Sequence, residues 1–265
     1  MPSIHAQAAN TVVEVSESTN DDARRLAEAG FPHGTWVSAR RQISGRGRLG
    51  RKWESLEGNL FLSILARLPA EAGLGKVWSW IPLATAVAIA ETLRSFDPRL
   101  DLEIKWPNDL WLKRAKAGGI LCEAANLGAV AQSPYVVIGI GLNCAAAPEG
   151  VDQEATFLRA VAPQLSVDEL RMPIVSGVLD ALDELQIKGA SSIARRYEKL
   201  AAFKSGDAVS WRAGSAGSES TPGFVEKLGP DGELLVKDLA GATRALYAED
   251  VKIRAARSKA SESLP

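Results

Sequence analysis

Cysteine and histidine are scarce in this chain of 265 residues: Cys122, Cys144, His5 and His33 are the full complement. Two distant cysteines cannot build a disulfide framework or a CxxC metal site, so they read as small apolar residues of a reducing compartment. Two histidines without partners at ligand spacing leave no His-based zinc site and no Ser-His-Asp triad. Charge of one sign is lacking too. The 31 basic and 32 acidic residues give a formal charge of −1, which argues against a nucleic-acid coat protein or a polybasic membrane binder. No apolar run reaches the roughly 20 residues of a bilayer span, and Pro82 breaks the uncharged run from Val77 to Ala90. No basic segment followed by an apolar one opens the chain, so a cytoplasmic protein is expected.

What is present fits a soluble globular protein, with 46% apolar and 24% charged residues over a length that suits one large domain plus a small one. The β-branched run Thr11 to Val15 predicts a strand, and Asp21 to Ala29, stopped by Gly30, predicts a helix. Strands are expected at Thr35 to Ala39, Asn59 to Arg67, Leu102 to Trp106, Leu110 to Lys113, Gly119 to Ala124 and Tyr135 to Leu142. Helices are expected at Trp78 to Phe96, Val167 to Ile187 and Ser191 to Ala202, the first with Pro82 in its opening turn. From Asp207 the texture changes to short strands separated by turns such as Gly229-Pro230-Asp231-Gly232, which predicts an appended β-barrel. The expected division is 1–204, 205–256 and a disordered tail, 257–265.

Three segments can carry chemistry. Arg40 to Lys52 holds six basic residues and no acid, centred on Gly45-Arg46-Gly47-Arg48-Leu49-Gly50. Glycines let backbone N–H groups approach an anion, and guanidiniums bind phosphate or carboxylate in two-pronged fashion. Mutual repulsion predicts that this loop is mobile when empty; a solvated basic loop or an RNA-binding segment would read the same way. Lys105-Trp106-Pro107-Asn108-Asp109-Leu110 offers an amide and a carboxylate at a strand end, although Asn-Asp also suits a bare hairpin turn. Lys116-Ala117-Gly118-Gly119-Ile120-Leu121 sets a lysine before two glycines, where a ligand can lie against backbone. No GxxxxGK[ST] occurs. Gly139-Ile140-Gly141-Leu142-Asn143 is not a dinucleotide fingerprint, because Cys144 stands where the third glycine belongs.

These segments in this order, with Ser18-Thr19-Asn20 ahead of them and Gln42 before the basic loop, resemble the biotin–protein ligase family. The similarity is strongest from Val12 to Asn143 and looser through Arg254. It resembles the short, monofunctional form, with no room before Ser18 for a DNA-binding domain and no repressor function expected. The resemblance implies an α+β fold: a catalytic domain like that of class II aminoacyl-tRNA synthetases, with a mixed sheet and helices, plus a small SH3-like β-barrel. It implies ATP and Mg²⁺, biotin as substrate, a biotinyl-5′-adenylate intermediate, and a biotin carboxyl carrier protein or domain as acceptor. Neither nucleic acid nor membrane is an implied partner, and the state is a monomer or weak homodimer.

The resemblance also assigns roles. Ser18, Thr19, Asn20 and Gln42 would bind the ureido head, with Gly45, Arg46, Gly47, Arg48, Lys116, Gly119, Ile120 and Gly139 completing the biotin site. Arg46, Arg48, Arg51, Trp53, Asn108, Asn143 and Arg254 would bind ATP or the adenylate. Arg48, Lys116 and Asp109 would be catalytic, Asp109 orienting or deprotonating the acceptor lysine, and Asn108 would reach Mg²⁺. Two rivals remain: a lipoate or octanoate ligase of the same fold, and a nucleic-acid-binding module using the basic loop.

Overall fold

A computed structural model describes residues 9–67, 77–125, 134–151, 153–212 and 220–247, with backbone alone for 213 and 251–255. The β-branched opening run forms β1 (Thr11–Ser16), and α1 (Thr19–Glu28) carries the chain to β2 (Trp36–Gln42), which runs parallel to β1. The sheet continues through β3 (Leu60–Arg67), β4 (Leu102–Lys105), β5 (Asp109–Leu112), β6 (Ala115–Ala125) and β7 (Tyr135–Leu142). Its order is β1-β2-β3-β7-β6-β5-β4, and every pair after the first is antiparallel. This is the expected mixed sheet.

Strand alternation decides what lies on each face. Leu60, Leu62, Ile64 and Ala66 of β3 join Ile138, Ile140 and Leu142 of β7 in the large core, under α2 (Ile81–Phe96), α3 (Val167–Lys188) and α4 (Ala190–Leu200). Leu65 and Val137 face the opposite way and pack with Ala23, Leu26 and Ala27 of α1. Ser63 and its cross-strand partner Gly139 share this second face. α1 therefore points its N-terminus over strands that carry small side chains.

The C-terminal unit is a five-stranded antiparallel sheet of β8 (Ala208–Ala213), β9 (Thr221–Leu228), β10 (Leu234–Asp238), β11 (Thr243–Leu246) and β12 (Val251–Ala255). Its order is β11-β10-β9-β8-β12, and no ladder joins β11 to β12 among the described residues, so its hydrogen bonding leaves two edges where a closed barrel has none. The unit shares the large core through Val209, Trp211, Val225 and Val236. Two indoles fasten its β9–β10 turn: Trp80 Nε1 donates to the Pro230 carbonyl and Trp106 Nε1 to the Gly232 carbonyl, each at 3.0 Å. The expected tail at 257–265 lies outside the described residues.

Candidate active site

A cavity of about 480 Å³ opens on the α1 face of the sheet. It lies where the N-terminus of α1, the end of β2, the basic loop, the β4–β5 hairpin and the glycines of β6 and β7 meet. Of the residues assigned from sequence, Ser18, Thr19, Asn20, Gln42, Arg46, Gly47, Arg48, Arg51 and Trp53 line it. Asn108, Asp109, Lys116, Gly119, Ile120, Gly139 and Asn143 line it as well. Gly45 stands just behind: a Cβ there would meet the Trp53 carbonyl at 2.8 Å and Gln42 Nε2 at 3.1 Å. Arg254 falls in β12 opposite Ser210; its side chain lies outside the described residues.

Glycine makes the floor because neighbours occupy the space of a side chain. A Cβ on Gly139 would lie 2.2 Å from Asn20 Oδ1, and one on Gly141 would lie 2.6 Å from the Trp53 indole. Trp53 thus lies across Gly141 and beside Gly119, with Lys116 Nζ 5.5 Å from its ring centre. Ile120 lines the cavity next to this floor, but its side chain belongs to the large core. Its backbone N–H and carbonyl both pair with Asn108.

The polar end is tightly specified. Ser18 caps α1 by position without a side-chain capping bond, and it is buried. Thr19 N–H donates to Gln42 Oε1 at 2.9 Å, and Thr19 Oγ1 lies 3.1 Å from the same oxygen. Behind them Ser63 Oγ sits 2.8 Å from Thr19 Oγ1 and 2.6 Å from Asn20 Oδ1. Asn20 Nδ2 donates to Glu123 Oε2 at 2.6 Å and to the Leu121 carbonyl at 3.4 Å. The resemblance assigned Asn20 to the ureido head; in the structure it lines the cavity while both ends of its amide also engage protein, bracing Thr19 and the sheet.

The basic loop, whose like charges lead to an expectation of mobility, takes the form of a small hairpin. Gly47 N–H donates to the Arg51 carbonyl at 2.7 Å and Trp53 N–H to the Gly45 carbonyl at 2.9 Å. Repulsion is relieved by partners supplied from elsewhere. Arg46 grips Asp21 of α1 with two contacts of 2.7 Å, and Glu123 lies 3.9 Å away. The Arg46 guanidinium holds the Asp21 carboxyl below its usual range, against the opposing effect of burial. Arg48 donates to Asn108 Oδ1 at 2.9 Å. Leu49 takes a left-handed backbone (φ 58°) at the tip.

Lys116 Nζ pairs with Asp109 Oδ1 at 2.6 Å. The first effect of Asp109 is therefore to aim Lys116, whatever it does to an acceptor amine. Asn143 is buried and spends its amide N–H groups on the Thr156 and Lys116 carbonyls, at 3.1 and 3.4 Å. It anchors the segment that walls the cavity.

Asn108 does not fit the metal-binding role that the resemblance suggests. Its Oδ1 accepts from a guanidinium and its Nδ2 donates to the Ile120 carbonyl, whereas Mg²⁺ wants anionic or water oxygens in octahedral array. Among the described residues no cluster of three or more His, Cys, Asp or Glu side chains is placed to hold a metal.

Sequence reasoning missed Asp21, Ser63 and Glu123. The signal for Ser63 was available: it interrupts the apolar run Leu60 to Ala66, and a buried polar group needs a partner. Asp21 and Glu123 become visible only once α1, the loop and β6 are brought together.

The mixed sheet, the N-terminus of α1 and the arginine-rich loop over a glycine floor form one pocket with hydrogen-bonding groups at one end and cations at the other. The model of the Biotin/lipoate A/B protein ligase family matches residues 12–143. Over 252 residues the chain is 31% identical to a biotin–[acetyl-CoA-carboxylase] ligase of Mycobacterium tuberculosis, covering 91% of this chain and 87% of that one. A ligase of the same name from Paracoccus denitrificans is 32% identical over 237 residues, covering 85% and 93%. The solved biotin protein ligase from Aquifex aeolicus, in complex with biotin and ATP, superposes with a TM-score of 0.76 at 24% identity, over 93% of this chain and 98% of that one. That likeness concerns the fold. The chain belongs to the biotin–protein ligases of this family.

Proposed function

We propose that this protein activates biotin with ATP as biotinyl-5′-adenylate and transfers the biotinyl group to a lysine of a biotin carboxyl carrier domain. The observation that carries this reading is one cavity with hydrogen-bonding groups at one end (Ser18, Thr19, Gln42) and cations at the other (Arg46, Arg48, Lys116). The polar end suits a cyclic urea, and a plain acyl chain would want apolar walls there.

In the first step the biotin carboxylate attacks the α-phosphorus of ATP, and pyrophosphate leaves. An anion must approach a polyanion, so positive charge and fixed geometry supply most of what the protein can contribute. Lys116, aimed by Asp109, and Arg48, placed by Asn108, both line the cavity and are the cations we assign to the two anions. Mg²⁺, when bound with the nucleotide, would neutralise phosphate charge; the residues here do not form a cage for it. In the second step the lysine amine attacks the acyl carbon of the mixed anhydride and AMP leaves. Trp53 and the basic loop shield that anhydride from water. We assign this chemistry to residues 1–204 and treat 205–256 as a second unit that supports the site through Trp106 and Trp80. No helix among the described residues is long and apolar enough to cross a membrane.

Pyrophosphate exchange into ATP, with biotin and lipoate offered separately, tests the reading. Biotin-dependent exchange is expected, and exchange with lipoate alone would overturn the substrate assignment. Salt-sensitive binding to DNA or RNA without exchange would favour a nucleic-acid module.

A further inference from the structure

We infer that Ser63 and Glu123, neither of which is placed against the substrate, set the hydrogen-bonding polarity of the substrate pocket by forcing Thr19 to act as an acceptor. The inference rests on the biotin reading above and names what selects the ureido group.

The argument runs along one chain of contacts. A carboxylate only accepts hydrogen bonds, and Glu123 is paired with Arg24 at 3.1 Å. Asn20 must therefore turn its Nδ2 toward Glu123 Oε2, which lies 2.6 Å away. That orientation leaves Asn20 Oδ1 facing Ser63 Oγ at 2.6 Å. An amide oxygen only accepts, so the single Ser63 hydroxyl proton is committed to Asn20. Ser63 Oγ then has none for Thr19, whose Oγ1 is 2.8 Å off. Thr19 Oγ1 has one proton for two acceptors, Ser63 Oγ at 2.8 Å and Gln42 Oε1 at 3.1 Å; the Ser63 contact is the closer, and two oxygens at that distance without a proton between them repel, so the proton goes to Ser63.

Ser63 is fully buried, so water cannot scramble this order. Thr19 Oγ1 turns only lone pairs to the cavity, next to Gln42 Oε1 at 3.1 Å, which the Thr19 backbone N–H holds in place. Two acceptor oxygens side by side are matched by a ligand N–H. A ring oxygen in the same place would meet a third acceptor. Ser63 and Glu123 are thus positioning residues acting through Thr19, and Gly139 is the residue whose missing Cβ makes room for Asn20 in the relay.

The test compares biotin with its two cyclic carbamate analogues, in each of which one ureido N–H is replaced by a ring oxygen, as substrates for pyrophosphate exchange. The unsubstituted full chain should reject one analogue by about 10²-fold or more in kcat/KM, because a site built to accept from an N–H loses that bond and gains repulsion. In Ser63→Ala the Thr19 hydroxyl is freed to turn between Gln42 Oε1 and a ligand ring oxygen, so this discrimination should fall at least about tenfold, with KM for biotin rising more than kcat falls. Ser63→Thr, which restores the hydroxyl, should recover it. Glu123→Gln, whose amide can present either polarity to Asn20, should lower discrimination without touching the buried serine, and it serves if Ser63→Ala fails to fold. Discrimination unchanged in folded Ser63→Ala or Glu123→Gln overturns the relay alone. Absence of biotin-dependent exchange by the unsubstituted chain overturns the biotin reading, and the relay with it.

Discussion

Arg46 closes a two-pronged ion pair on Asp21, with both nitrogen–oxygen contacts at 2.7 Å, and so ties the basic loop to the first turn of α1. The folded carboxyl is depressed below its ordinary value of 3.8, chiefly by the hydrogen bonds from Arg46. A depressed carboxyl contributes stability that is present above the unfolded value and is lost as pH falls through the folded one. The melting temperature of the unsubstituted protein should therefore exceed that of Asp21→Asn by a constant margin near neutral pH. That margin should shrink below the ordinary carboxylate value. Thermal melts at stepped pH measure it, and a margin that grows on acidification would contradict the pairing.

Arg48, bound to Asn108 Oδ1 at 2.9 Å, links the loop to the hairpin that carries Asp109. Replacing it with glycine removes the side chain that joins the two walls over the reactive anhydride. Arg48→Gly should form adenylate, lose it to solution, and label bystander proteins such as serum albumin. Equal retention of radiolabelled adenylate by both proteins on a desalting column would refute the assignment.

Gly139 leaves no room for a side chain, with Asn20 Oδ1 2.2 Å from where a Cβ would stand. Gly139→Ala must displace an amide held by Ser63 and Glu123, at a cost of about 1–3 kcal/mol for an overpacked site. Biotin affinity should fall by at least about tenfold, read by titration calorimetry, because the displaced Asn20 intrudes on the cavity it lines and each 1.4 kcal/mol of lost binding energy is a factor of ten. Gly30→Ala is a useful contrast: a Cβ there meets nothing within 4 Å, but φ is +85°, so strain without a clash in the cavity should lower stability and spare biotin affinity.

Trp106 Nε1 donates to the Gly232 carbonyl from a buried position at the base of the Asn108–Asp109 hairpin. Trp106→Phe keeps most of the packing and leaves that carbonyl without this donor. A destabilisation of about 1–3 kcal/mol is expected in urea unfolding, the usual cost of orphaning a buried polar group. An unchanged midpoint and slope would mean that the indole bond does not fasten the C-terminal sheet.

Much of the fold was legible in the chain because local chemistry writes it. A β-branched run marks β1, an apolar run marks β3, cap residues and a terminal glycine mark α1, and Pro82 marks the first turn of α2. The residues lining the cavity were legible too, because glycine, arginine and asparagine cluster where backbone must approach a ligand. Their partners were not. The sequence described the basic loop as a set of like charges; its partners Asp21 and Asn108 reach Arg46 and Arg48 from segments distant in the chain.

The few cysteines and histidines and the balanced charge by themselves narrowed the chemistry to be expected, and the motif order pointed to the family. Only the tertiary structure decided which polar groups face the substrate and which face each other. Asn20 was read from its motif as a ligand contact; it lines the cavity, and Ser63, 43 residues away, and Glu123, 103 residues away, engage the two ends of its amide. Hydrogen-bond polarity is a property of neighbours in space, since a hydroxyl donates or accepts according to what stands opposite it.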